Sequence, residues 1–186
     1  MSSARWLVVP ALTAALAVPA SAGTAVGPRT YTRTCDSAVY GELNADWQKD
    51  AVVVGPLSLV WALQYRSAAT APRRTQGFKI LAVVEPGATV TVSIPESASS
   101  VASLLYRPAK FSFTRARVRD GDTATTLVAC EQPNGDQPWQ RGTQFNGAFL
   151  VYGRRCVPVD IAVAGQPAVR RLVSFGAGTC GGRAAA

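Results

Sequence analysis

The sequence predicts an all-β protein, a single antiparallel β-sandwich of immunoglobulin-like or jelly-roll-like type held by two disulfides. Three observations predict this fold. Apolar and polar residues alternate over several short stretches, glycine- and proline-containing turns separate those stretches, and the chain has four cysteines. Short strands at regular spacing with turns between them are typical of an antiparallel sandwich. A closed barrel is the alternative that the same pattern allows.

The N-terminal segment, MSSARWLVVPALTAALAVPASAGTA, has the pattern of a secretory signal peptide. It carries one basic residue, Arg5, then an apolar stretch from Trp6 to about Pro19, then the small-x-small sequence of residues 20–22. The apolar stretch is shorter than the ~20 residues of a membrane-spanning helix, although an uncleaved anchor is the alternative. We therefore expect a signal peptide over residues 1–22 and a secreted, extracellular chain. The β-sandwich domain is expected over residues 23–176, with a C-terminal tail over 177–186.

The first predicted strand is GPLSLVWALQY, with Leu57, Leu59, Trp61 and Leu63 facing inward. Further strands are predicted in VASLLY, TATTLVAC, VPVDIAV and AVRRLVSF, and FNGAFLVY is apolar on both faces, as in a central strand.

Two turns predict β-hairpins. In KILAVVEPGATVTVSIP, Val90, Val92 and Ile94 alternate with polar residues, and Pro86-Gly87 supplies a type II turn. Asp120-Gly121 stands between ARVR and TATTL and predicts a second hairpin.

The segment from FKILAVVEPGATVTVSIP to FNGAFLVYGRRCVPVDIAV resembles a group of small secreted actinobacterial proteins. That group has a signal peptide, a compact β-domain and a cysteine in a G-x-R-C-V-P sequence, present here over residues 153–158. The resemblance implies the fold and the extracellular location. It carries no assigned activity and no functional residues.

The four cysteines all follow the predicted signal peptide, and an even number of cysteines in an exported chain predicts two disulfides. Three pairings are possible. We favour Cys130–Cys156, which would close the intervening loop, and Cys35–Cys180, which would join the two ends of the domain. The cysteines have no C-x-x-C spacing and the chain has no histidine, so neither a zinc site nor a cofactor is expected.

The formal charge of +8 favours contact with anionic surfaces. Only three of the nineteen basic residues are lysine, a bias that a GC-rich genome would also produce. A nucleic-acid partner is not expected, because no recognition motif is present and the chain is exported.

Several kinds of catalysis are excluded or disfavoured by residue type. The absence of histidine excludes a serine–histidine triad, no S-x-x-K sequence is present, and disulfide-bonded cysteines offer no thiolate. The eleven carboxylates are scattered, and the neighbouring Asp120 and Asp122 fit a turn better than an acid–base pair. We predict no catalytic residue.

Two features are candidate ligand sites. Arg115, Arg117 and Arg119 would form a ladder of guanidinium groups on one face of a strand, able to bind phosphates or carboxylates. Trp139, in the polar loop after Cys130, would either stack on a sugar ring or cap the core. The predicted function is a secreted, non-catalytic protein that binds cell-wall glycan, an anionic envelope polymer or a secreted protein. A secreted protease inhibitor and a carboxylate-based hydrolase are the alternatives.

Overall fold

A computed structural model describes residues 29–67, 77–108, 115–132 and 141–181, and the predicted signal peptide lies outside these ranges. The all-β prediction is confirmed, because twelve strands and no α-helix occur in the described ranges. In chain order the strands are β1 (Thr30–Arg33), β2 (Val52–Val54), β3 (Leu57–Val60), β4 (Gly77–Lys79), β5 (Leu81–Val84), β6 (Thr89–Ser93), β7 (Ala102–Leu105), β8 (Ala124–Val128), β9 (Thr143–Phe145), β10 (Ala148–Val151), β11 (Arg155–Val163) and β12 (Val169–Phe175).

The strands form three sheets rather than the two of a single sandwich. One sheet has five strands in the order β1-β8-β6-β11-β12, a second has four in the order β2-β3-β5-β9, and a third has three in the order β4-β10-β7. All pairs are antiparallel except β1 with β8, which is parallel. Five 3-10 helices occur in the described ranges, at Cys35–Ser37, Trp47–Asp50, Gln64–Arg66, Glu96–Ala98 and Val118–Asp120.

The four-stranded and three-stranded sheets meet at a break in two neighbouring strands. Ile80 separates β4 from β5, and residues 146–147 separate β9 from β10. At this point the Ile80 amide donates a 3.0 Å hydrogen bond to the Gly147 carbonyl, so the backbone pairing continues across the break.

One hydrophobic core lies between the five-stranded sheet and the other two. It contains residues from every sheet, including Leu59, Phe149, Val159 and Phe175, all inaccessible to solvent. In β6 and β11 the predicted alternation is confirmed, with the valines facing this core and the polar residues facing outward. Strand β10 is buried on both faces and lies between β4 and β7, as its sequence predicts.

The predicted hairpin around Pro86-Gly87 is wrong, although the turn itself forms. Gly87 has a φ of 72°, and the Ala88 amide donates to the Glu85 carbonyl at 3.2 Å. Strand β5, however, pairs with β3 and β9, whereas β6 pairs with β8 and β11. The reason is burial: β5 is apolar on both faces and needs cover on both, while β6 has one polar face.

The additional cover for β5 comes from the segment before β2. Leu43, Trp47 and Ala51 pack against Val60 and Leu81 on the outer face of the four-stranded sheet. This second cluster also covers the outer face of β3 at Val60, and the other face of β3 lies on the main core.

The strand predicted in GPLSLVWALQY is shorter than expected. Leu57 and Leu59 face the main core as predicted, but the strand ends at Val60. Trp61 has a φ of 67°, a left-handed conformation that no strand continues, and Leu63 lies in the turn that follows.

The two predicted disulfide pairings are also wrong, because the cysteines pair as Cys35–Cys130 and Cys156–Cys180. Strands β1 and β8 are parallel neighbours, so their C-terminal ends lie side by side. Cys35 follows β1 and Cys130 follows β8, and their Cα atoms are 4.8 Å apart. Cys130 and Cys156 are on strand ends separated by β6 in the sheet. Cys156 is instead opposite Ser174 in the β11–β12 pair, and the chain beyond β12 returns Cys180 to it.

Candidate functional site

The segment that carries Arg115, Arg117 and Arg119 is not a strand. It runs without regular structure into the 3-10 helix Val118–Asp120, which begins where the Asp120 carboxylate accepts a 2.7 Å hydrogen bond from the Arg117 amide. The predicted guanidinium ladder and the Asp120-Gly121 hairpin are therefore wrong. The local hydrogen bond competes with strand pairing, as aspartate side chains often do in turns.

The alternation seen in the sequence still separates two sides of this segment. Ala116 and Val118 pack against Leu105, Ala148 and Leu150 on the outer face of the three-stranded sheet. The three arginines between and beside them point away from that face and are exposed.

A fourth arginine, Arg29, joins the same surface. Its guanidinium donates a hydrogen bond to the carbonyl of Arg119. The nearest ion pair is a 3.9 Å contact between Arg119 and Asp120, with both side chains largely exposed. We call Arg29, Arg115, Arg117 and Arg119 the cationic surface. Four guanidinium groups and one nearby carboxylate give it a net positive charge.

Trp139 lies outside the described residues, so both predicted roles of its indole remain predictions. The start of its loop is well anchored. Cys130 is buried, is bonded to Cys35, and donates its amide to the Thr143 hydroxyl at 2.8 Å. The loop therefore begins and ends at neighbouring points of the fold.

Two arginines that no sequence pattern marks as special have structural roles. Arg33 is 2 % exposed. Its guanidinium donates to the carbonyl and side-chain oxygens of Asn146, at 2.7 and 3.0 Å, and to both oxygens of Ser37. Burial lowers the pKa of Arg33. It links the chain after β1 to the break between β9 and β10, and no local pattern in TYTRTCDS signals this.

Arg107 holds Asp122 through two hydrogen bonds of 2.8 and 2.7 Å. The hydrogen bonds to Asp122 raise the pKa of Arg107, with partial desolvation opposing them. Arg107 also donates to the Thr30 carbonyl and lies over the Tyr31 ring, 4.6 Å from its centroid. The Asp122 carboxylate is thus paired with Arg107, and together the two side chains link the start of β1 to the residues around β7 and β8.

A cleft of about 340 Å³ lies between the edge of the five-stranded sheet and the four-stranded sheet. Arg171–Ser174 of β12 line one side, Ala51, Val52, Leu63 and Arg66 line the other, and Thr179 and Cys180 complete the lining. Both arginines are exposed. Arg66 and Arg171 are far apart in the sequence, and no local pattern distinguishes them from other basic residues. Only the sheet topology brings them together.

In the described part of the chain, no group of three or more histidine, cysteine or carboxylate residues is placed to hold a metal ion. The described residues also include no helix with the length and apolarity needed to span a membrane.

The fold and these surfaces define a disulfide-linked all-β domain with arginine-rich surfaces. Comparisons with protein families, with curated proteins and with solved structures find no match to this chain.

Proposed function

We propose that this chain is a secreted, non-catalytic binding protein whose ligand is an anionic polymer of the cell envelope. The cationic surface carries the proposal. Its arginines are held on the domain because the half-buried Ala116 and Val118 pack against the three-stranded sheet, and the three arginines of this segment are exposed. Guanidinium groups bind phosphate and carboxylate through paired hydrogen bonds, so a surface of this composition suits a phosphate- or carboxylate-bearing polymer.

The two disulfides support the extracellular part of the proposal, because such bonds persist in oxidising compartments. The predicted signal peptide points to the same location. The formal charge of +8 adds a long-range attraction to anionic surfaces, which raises the rate of association at low salt.

Co-sedimentation tests the proposal directly. The purified, oxidised protein is mixed with phosphocellulose, with unmodified cellulose and with isolated cell walls at low and high salt. We expect binding to phosphocellulose and to cell walls that weakens steeply with salt, since exposed charges are screened over a Debye length of about 8 Å at physiological ionic strength.

Matched variants locate the site. Replacing Arg115, Arg117 and Arg119 by glutamine should abolish the salt-sensitive binding. Replacing Lys49, Arg141 and Arg154 by glutamine removes the same charge from other exposed positions. This variant should retain most of the salt-sensitive binding. Equal loss in both triple variants would show that only net charge matters and would contradict a defined site. Binding to plain cellulose that survives salt and disappears in Trp139→Ala would instead assign a glycan site to the loop after Cys130.

A protease inhibitor is the second candidate, and the loop between β10 and β11 favours it. Tyr152 and Arg154 are exposed on this loop, and Gly153 has a φ of 70°. The disulfide at Cys156 and a 2.8 Å hydrogen bond from the Tyr152 amide to the Val101 carbonyl fix both of its ends. Stoichiometric inhibition of trypsin that Arg154→Ala abolishes would support this function, and the absence of inhibition would reject it.

A further inference from the structure

Strand β12 is an edge strand with one side open in the described structure. It pairs with β11 over seven residue pairs, from Arg155 opposite Phe175 to Ile161 opposite Val169. No described strand pairs with its other side. An open edge presents a row of unpaired backbone amides and carbonyls, and it is a template for another strand.

The proline in β11 shows which backbone groups of β12 face outward. In antiparallel pairs, positions that exchange two hydrogen bonds alternate with positions that exchange none. Pro158 has no amide hydrogen and lies opposite Leu172, so this pair is a non-bonded one. The amide and carbonyl of Leu172 therefore point to the open side, and so do those of Arg170 and Ser174.

Three further hydrogen bonds agree with this assignment. The amide of Ala164 donates to the Thr89 carbonyl at 3.1 Å, so the even-numbered residues of β11 face β6. Beyond β12, the amides of Gly176 and Gly178 donate to the carbonyls of Tyr65 and Arg66, at 2.7 and 3.0 Å. Just past the end of β12, the outward-facing amides are thus already hydrogen-bonded within the chain. The outward-facing amides of Leu172 and Ser174 have no hydrogen-bond partner among the described residues.

These open groups face the cleft of about 340 Å³. Four consecutive residues, Arg171–Ser174, line it, although their side chains alternate between the two faces of the sheet. The surface that all four share is the backbone edge. Ser174 is 5 % exposed, and its hydroxyl is buried without a hydrogen-bond partner among the described residues.

The charges of the cleft indicate what would fill it. Neighbouring Arg170 is neutralised by Asp160, with hydrogen bonds of 2.6 and 2.7 Å. Among the described residues, Arg171 donates only to the carbonyl of Arg170, at 3.3 Å, and Arg66 has no ion pair. The opposite wall adds apolar side chains at Val52 and Leu63. A fitting occupant is extended, partly apolar and acidic.

We propose that the open edge of β12 binds an extended acidic peptide segment of a partner protein, which adds as a sixth strand of the five-stranded sheet. Its backbone pairs with Leu172 and Ser174, and its carboxylates contact Arg66 and Arg171. Main-chain hydrogen bonds give affinity in this mode of recognition, and side-chain contacts give specificity. The proposal does not depend on the cationic surface, which lies on a different segment.

The probe is a short, capped, fluorescent peptide of alternating valine and glutamate, with binding followed by fluorescence anisotropy. Two control peptides separate the contribution of the carboxylates from that of the backbone hydrogen bonds. One has glutamine in place of glutamate, and the other carries N-methyl groups on the amides of one edge. We expect the acidic peptide to bind, the glutamine peptide to bind more weakly, and the methylated peptide not to bind.

Protein variants assign the site. Arg66→Ala and Arg171→Ala should each weaken binding by about twofold to fivefold, as expected for exposed ion pairs. Arg154→Ala, which removes the same charge elsewhere, should have no effect. Leu172→Pro removes an outward amide while sparing the bonds to β11, and it should weaken binding by about tenfold. Circular dichroism confirms that this variant is folded, and the methylated peptide gives the same test if it is not.

Hydrogen exchange provides an independent readout. The Leu172 amide should exchange rapidly in the free protein and slowly with the acidic peptide bound. Binding that tolerates N-methylation would reduce the site to a charged cleft and overturn strand addition. A concentration-dependent dimer that protects Leu172 and resists the peptide would assign the edge to a second copy of this chain and would also overturn it.

Discussion

The Tyr106 ring lies directly against Gly147 at the break that joins the two smaller sheets. A Cβ atom at position 147 would overlap this ring, and the ring is buried, so it has little space to move. The Tyr106 hydroxyl donates a 3.0 Å hydrogen bond to the carbonyl of Ile80, the residue between β4 and β5. One aromatic side chain thus occupies the corner at which both broken strands bend.

We expect Gly147→Ala to destabilise the protein by about 1–3 kcal/mol, the usual cost of overpacking a filled core. Urea denaturation of the oxidised protein measures this. Gly181→Ala is the matched control, because nothing lies within 4 Å of its added Cβ, and we expect a change of less than about 0.5 kcal/mol. Equal stability of the two variants would contradict the close packing of Tyr106 on Gly147.

The same tyrosine should limit stability in alkali. Burial raises the pKa of Tyr106 well above its ordinary value, whereas in the unfolded chain its hydroxyl ionises at about pH 10. The folded state therefore retains the proton more tightly, and its stability falls as pH rises above about 10. Tyr106→Phe should remove that part of the alkaline slope. It should also cost about 1–3 kcal/mol at neutral pH, because the Ile80 carbonyl loses its phenol partner. An unchanged alkaline slope in Tyr106→Phe would contradict the assignment.

The two disulfides should differ in their contribution to stability. The Cys35–Cys130 bond spans 95 residues and the Cys156–Cys180 bond spans 24. In the chain-entropy treatment these loops correspond to about 4.7 and about 3.4 kcal/mol. Paired serine variants of each bond, compared by chemical denaturation, should show the larger loss for the first. Peptide mapping checks the pairing itself, and a fragment joining Cys130 to Cys156 would contradict the structure.

Stability in acid should depend on Asp160. Its hydrogen bonds to Arg170 lower the pKa of its carboxyl, with desolvation opposing them. In the unfolded chain this carboxyl takes up its proton at about pH 3.9, while in the folded protein it stays ionised to lower pH. This contribution to stability is therefore present above about pH 4 and is lost as pH falls through the lowered pKa. Asp160→Asn and Arg170→Gln should flatten the acid limb of a urea-midpoint profile equally. A steeper limb in either variant would contradict the pairing.

The sequence predicts which faces of the strands are buried, and the structure confirms much of this prediction. The valines of β6 and β11 face the core because alternation places them on one side of a pleated strand. The burial of β10 on both faces follows from its unbroken apolar run. These features depend on residues adjacent in the chain.

The errors concern partners that are distant in the chain. The parallel pairing of β1 with β8 determines the bond from Cys35 to Cys130, and nothing near either cysteine specifies it. The burial of Arg33 depends on acceptors at Asn146, on the far side of the sequence. Over residues 115–119 the alternation predicts a strand, but the carboxylate of Asp120 accepts a hydrogen bond from the Arg117 amide and starts a 3-10 turn instead.

The turn at Pro86-Gly87 also has a consequence for how quickly the chain folds. Because this turn directs β5 and β6 into different sheets, the two consecutive strands cannot pair with each other as the strands of a local hairpin do. Strand β5 must instead find β9, across the intervening β6, β7 and β8. Folding rates fall as contacts become more distant in sequence, and domains of this kind fold in milliseconds to seconds. The sheets of this chain therefore close more slowly than those of a protein built from local hairpins.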